Sequence, residues 1–146
     1  MIERRKLFLL GLAASLLLAA CAMEGGASKV NLAANLSGTA EVPPVAGTGT
    51  GRATVTLDRG SRTLTWNVTY SGLSGPVTGA HFHGPAAAGA NAGVAVPMTQ
   101  GPSLMQGSAV LNETQVADLL AGRWYVNLHT AANRGGEIRG QVLPTN

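Results

Sequence analysis

A single cysteine, Cys21, stands in this chain of 146 residues. No intrachain disulfide is therefore possible. Charge is sparse at 12%, and most of the net +3 is local. Three of the ten basic residues (Arg4, Arg5, Lys6) and one of the seven acidic ones (Glu3) fall in the first twenty positions, leaving seven against six beyond them. A balance near neutrality gives no electrostatic footprint for nucleic acid. Apolar runs are short: the longest, Leu7–Leu18, is a dozen residues, too few to cross a hydrocarbon core of about 30 Å as a helix. No Ser/His/Asp set, no recognisably spaced carboxylate pair and no phosphate-cradling glycine loop is present, which argues against hydrolysis and nucleotide chemistry. Aromatics make up only 4%, so Trp66 and Trp124 are the expected core anchors.

The first twenty residues combine a basic start, an apolar stretch and small residues ahead of Cys21, the organisation of a cleaved export signal. Leu18-Ala19-Ala20-Cys21 resembles the bacterial lipobox, which implies a lipidated Cys21 as the mature N-terminus and a membrane held through acyl chains. Arg4-Arg5-Lys6-Leu7-Phe8 resembles a twin-arginine signal, with Glu3 where Ser or Thr is usual, and export through the general secretory route remains the alternative. Residues 21–29 read as a small, polar, lipidated tether and 30–146 as one folded domain. The expected location is the cell envelope. In a diderm this is the outer membrane, on its periplasmic or surface face, because Ala22 stands where an inner-membrane retention signal would have Asp. In a monoderm it is the extracellular membrane face.

From Val30 onward, short alternating runs are separated by glycine- and proline-rich breaks. Strands are expected at Val30–Ser37, Arg52–Leu57, Thr63–Ser71, Val77–His83, Met105–Leu111, Trp124–Thr130 and Glu137–Leu143. In Thr63–Tyr70, Leu64, Trp66, Val68 and Tyr70 share one face and threonines and Asn67 the other. One short helix is expected: Asn112 caps it, Gln115 completes a capping box, Val116, Leu119 and Leu120 form its apolar side, and Gly122 ends it. The fold class is all-β, an antiparallel β-sandwich with one short helix. "AAAGANAG" at residues 86–93 reads as a flexible small-residue loop.

Only three histidines occur, His81, His83 and His129. Residues two apart on a strand share a face, with Cα atoms roughly 6.5–7 Å apart. His81 and His83 thus project together while Phe82 enters the core. In "WYVNLHT", Trp124, Val126 and Leu128 alternate with Tyr125, Asn127 and His129, so His129 also points away from the apolar side. If the two strands meet, three neutral imidazoles converge, a ligand set suited to copper or zinc. Surface or turn histidines without a ligand are the alternative. Glu137, Arg139 and Gln141 form a polar strand face that would either support the site, together with Tyr125 and Asn127, or be solvated. Arg139 would meet an incoming anion or pair with Glu137. Tyr125, Asn127, Met98 and Met105 are further ligand candidates, or ordinary packing or surface residues.

Four motifs resemble the CHRD domain, the module repeated in chordin and found singly in bacterial secreted proteins: "LSGTAEVPPV" (36–45), "GAHFHGPA" (79–86), "YVNLHT" (125–130) and "GGEIRGQV" (135–142). That resemblance implies an extracytoplasmic β-rich domain and carries no settled activity. The order His81, His83, His129, Arg139 is also similar to copper,zinc superoxide dismutase, another β-sandwich, in which a His-x-His pair and a late histidine hold copper and an arginine follows. The chain has no bridging histidine, zinc-loop cluster or cysteine pair, so this second resemblance leaves room only for a mononuclear site. Three readings compete: a protein binding one copper (or zinc) ion for storage, buffering or delivery; a dismutase-like redox enzyme using Arg139; and a metal-free module for binding a protein partner.

Overall fold

The computed structural model describes residues 28–145. The expected signal segment 1–20, Cys21 and most of the tether lie outside them. No helix among the described residues is long and apolar enough to cross a membrane.

The described residues form nine strands, one α-helix and a short 3-10 turn (Gly38–Ala40) after the first strand: β1 (Lys29–Ser37), β2 (Thr50–Asp58), β3 (Thr63–Ser71), β4 (Val77–His83), β5 (Val94–Pro97), β6 (Met105–Val110), α1 (Glu113–Leu120), β7 (Tyr125–Thr130), β8 (Ile138–Gln141) and β9 (Leu143–Pro144). All pair antiparallel along one path, β5-β4-β7-β8-β1-β2-β3-β6, with β9 added to β1. The β8–β1 join is a single residue pair, Ser37 with Arg139. There the path folds over on itself. Trp66 on β3 and Phe82 on β4 are far apart in strand order, yet their rings meet edge to face 5.2 Å apart, and Phe82 reaches Trp124 at 6.0 Å. The all-β, sandwich-like expectation holds, and its core lies between the two halves.

The alternation places the core residues as the sequence indicates. Leu64, Trp66 and Val68 are buried on β3, Leu32, Ala34 and Leu36 on β1, and Ala53, Val55 and Leu57 on β2. Met98 and Met105, considered as ligands, are buried in this apolar cluster. The helix is capped as its residues require: Asn112 Oδ1 accepts from the Gln115 amide at 2.8 Å, and Gln115 Oε1 from the Asn112 amide at 3.0 Å. Gly122, at φ +69°, ends the helix in the left-handed region that glycine adopts without strain.

Most strand ends fall within a residue or two of expectation, and two larger differences stand out. β5 has no counterpart in the sequence reading, because four residues ending in proline carry too little alternation; it is an edge strand, where proline's missing N–H costs nothing. The expected strand 137–143 splits into β8, which pairs β7, and β9, which pairs β1. Between them Val142 is buried and donates its amide to Trp124 O.

Candidate metal centre

β4 and β7 bring the three histidines together. Phe82 is fully buried, so strand parity turns its neighbours His81 and His83 to the opposite face. In the β4–β7 register, Gly79 lies across from His129, His81 across from Asn127 and His83 across from Tyr125. His129 is therefore the diagonal neighbour of His81, within reach of large side chains. Gly79 makes the approach possible: a Cβ there would stand 3.2 Å from His129 Cδ2 and 3.3 Å from His81 Cε1.

The ring centroids are 5.4 Å apart for His81–His83, 5.0 Å for His81–His129 and 6.0 Å for His83–His129. One nitrogen from each ring lies within 4.8 Å of the other two, and no other such group occurs among the described residues. A common point then exists within about 3 Å of all three, against metal–nitrogen bonds of about 2.0–2.1 Å, so a small inward movement of the rings would close the set on an ion.

Backbone carbonyls determine which nitrogens face inward. His83 Nδ1 lies 3.0 Å from Ala92 O, and His129 Nδ1 lies 3.0 Å from Arg134 O. A carbonyl oxygen only accepts, so both Nδ1 atoms carry the proton and both Nε2 atoms present a lone pair. His83 Nε2 is buried with no partner, an orphaned acceptor. His81 Nδ1 is 3.2 Å from His129 Nε2. Ligating imidazoles are ordinarily oriented in this way, the nitrogen away from the metal donating its proton to a carbonyl or carboxylate.

Electrostatics favour the ligand form. Burial pushes the His81 imidazole below its usual value, and the neighbouring His129 and His83 push the same way. Burial also lowers His83; its Ala92 contact opposes this, while His129 and Arg139 add to it. Two of the three rings are thus held neutral in the range where an ordinary histidine begins to protonate.

The residues considered for supporting roles are placed as follows. Tyr125 stacks on His83, with centroids 5.0 Å apart and planes 5° from parallel. Its hydroxyl accepts from the Ala92 amide at 3.1 Å and donates to Ala92 O, the carbonyl that holds His83. Asn127 and Glu137 make no hydrogen bond to an imidazole. Asn127 Nδ2 donates to Glu41 Oε2 at 3.2 Å, and Glu137 accepts from the Ser74 amide, Ser74 Oγ and Thr130 Oγ1 at 2.5–2.6 Å. Arg139 does not pair with Glu137. It is 2% exposed, lies 3.4 Å over the Tyr125 ring, and spends its donors on Asn91 Oδ1 (2.9 Å) and Ala90 O (2.6 Å). Gln141 bonds Ala86 O and Gly122 O.

Of the two alternatives for the polar face of β7 and β8, solvation does not hold: Tyr125, Asn127 and Arg139 are buried there, because irregular chain covers them and supplies polar partners. One expectation is corrected here. The small-residue loop 86–93 is not free; Ala86, Ala90, Asn91 and Ala92 are all held by hydrogen bonds. Sequence reasoning missed Glu41, Gly79, Asn91 and the Ala92 and Arg134 carbonyls. Only Gly79 left a usable sign, a side-chain-free position two residues before the first histidine on its own face.

The family model of the CHRD domain matches residues 32–142. No curated protein and no solved structure matches significantly.

Proposed function

This chain belongs to the CHRD-domain family, and from that premise we propose that it is a lipid-anchored envelope protein whose domain binds one copper ion, zinc being second, through His81, His83 and His129. The observation that carries the reading is the orphaned His83 Nε2: its own Nδ1 is tied to a carbonyl, and its ring offers a nitrogen within 4.8 Å of those of His81 and His129. Burial of an unpartnered acceptor costs about 1–3 kcal/mol, a cost that coordination would remove. Imidazole suits both metals, and the divalent affinity order favours copper wherever copper is available. A bound copper ion would supply one-electron chemistry; storage or delivery requires only that it be held and released.

Binding is favoured over dismutase-like turnover by the state of Arg139. Its donors are engaged by Ala90 and Asn91 and it is buried, so it is not positioned to receive an incoming anion. Metal analysis of the purified protein at neutral pH tests the reading. About one Cu(II) per chain is expected, with most of the affinity lost in His129→Ala. Equal copper content in the two proteins overturns the three-histidine site, and no uptake by either leaves the metal-free interaction module as the reading.

A further inference from the structure

Ten residues connect β4 to β5: Gly84, Pro85, Ala86, Ala87, Ala88, Gly89, Ala90, Asn91, Ala92 and Gly93. None carries a large apolar side chain, so the segment cannot fix itself by burying one. Its order must come from polar capture, and it ends at the carbonyl that orients His83.

We propose that Arg139, on β8, is a positioning residue for the histidine cluster: by gripping this segment at Ala90 and Asn91 it holds the Ala92 carbonyl against His83 Nδ1, and so sets the tautomer and ring plane of His83. The inference rests on the proposed metal site for its significance, although the tautomer itself is a property of the metal-free protein. The path is short. Nη2 of Arg139 donates to Ala90 O at 2.6 Å and Nη1 to Asn91 Oδ1 at 2.9 Å. The next residue, Ala92, meets the Tyr125 hydroxyl with both backbone groups and His83 Nδ1 with its carbonyl. Asn91 Nδ2 also donates to Val42 O at 3.0 Å, closing the segment onto the chain that follows β1.

The same residues form a layered stack. Strand order places β4 on one side of β7 and β8 on the other. The Tyr125 ring is thus flanked by the His83 imidazole, 5.0 Å away and nearly parallel, and by the Arg139 guanidinium at 3.4 Å. A planar, permanently charged fork is suited to stacking and gripping two acceptors at once; a lysine ammonium is a point charge on a flexible stem, without the planar face or the fixed fork. Such outer partners of a metal-ligating histidine typically govern 10–100-fold in affinity.

The test compares wild type with Asn91→Ala, a substitution at an exposed position, and with Arg139→Lys, each checked for a cooperative fold by circular dichroism. In the metal-free protein, ¹⁵N imidazole NMR should show His83 as the Nδ1–H tautomer in wild type and a mixture of tautomers in both variants. Copper titration against a competing chelator should show a 10–100-fold loss in the variants, with a changed nitrogen hyperfine pattern in the Cu(II) EPR spectrum. A folded Arg139→Lys protein with an unshifted His83 tautomer overturns the role of Arg139, whatever the copper result. If wild type takes up no copper, the metal site falls, and the tautomer measurement alone decides the positioning role.

Discussion

Gly107 on β6 lies across from Trp66 on β3, and the indole occupies the space a side chain at 107 would take. A Cβ there would stand 2.5 Å from Cζ2 and 2.7 Å from Cε2 of the ring, against an ordinary carbon–carbon contact of about 3.5–4.0 Å. In Gly107→Ala the ring must give way by about an ångström. It has little freedom to do so, being 5% exposed and seated on Phe82. Overpacking of this kind costs about 1–3 kcal/mol, a substantial part of the 5–15 kcal/mol that stabilises a typical domain. Trp66→Phe removes the atoms that would clash. It also removes Nε1, which is buried without a partner and costs about 1–3 kcal/mol in that state, so the loss of ring area is largely offset. The double variant should accordingly be more stable than the sum of the single effects indicates, with a coupling of about 1–2 kcal/mol. Urea unfolding of the four proteins, followed by far-UV circular dichroism because the probe tryptophan is altered, gives the cycle. Additivity within about 0.5 kcal/mol, or a Gly107→Ala protein as stable as wild type, would refute the packing argument.

Copper uptake needs neutral imidazoles, and the lowered values of His81 and His83 keep those rings neutral to below the usual 6.5. Uptake should therefore be full at pH 7 and fall only below pH 6.5; dialysis across a pH series checks this, and a decline already complete at pH 7 would contradict it. Burial is the main cause holding the Glu41 carboxyl above its usual value, with the Arg139 charge and bonds from Val42 and Asn127 opposing. Glu41 Oε1 and Asn127 Oδ1 are both buried without partners, and a Cβ on Gly136 would overlap both. A proton on Oε1 given to Oδ1 satisfies the two together, beside the existing Asn127 Nδ2–Oε2 bond. A raised carboxyl contributes stability at low pH that is lost as pH climbs through its folded-state value, so Glu41→Gln should abolish that decline and match or exceed wild type at neutral pH. Parallel stability–pH profiles for the two proteins would rule this out. Cys21→Ser should release the protein from the membrane fraction and abolish acyl labelling without altering the unfolding transition of the domain; persistent membrane association would count against the lipid anchor.

Strand parity made half of the candidate site legible. A period of two fixes His81 and His83 on one side of β4 once Phe82 is assigned to the core, and "WYVNLHT" fixes His129 away from its own core face by the same rule. The meeting of the two strands was beyond that rule, because register between segments 48 residues apart is set by tertiary pairing and not by either segment's pattern. What alternation left open was the surroundings of the polar face of β7 and β8. A pattern of apolar and polar residues says which side of a strand meets the apolar core; it says nothing about what covers the other side. Here the cover is irregular chain, residues 84–93 and the segment after β1. It is rich in glycine, alanine and proline and carries no alternating apolar pattern. Such chain buries a polar face by offering it backbone groups and a few polar side chains, here those of Asn91 and Glu41. Arg139, Asn127, Tyr125 and Gln141 are the residues able to receive them, with Ala86 O, Ala90 O, Asn91, Ala92 and Glu41 as the partners. The polar residues whose surroundings the pattern left open are thus the means by which the small-residue loop is ordered, and the ordered loop is what presents the Ala92 carbonyl to His83.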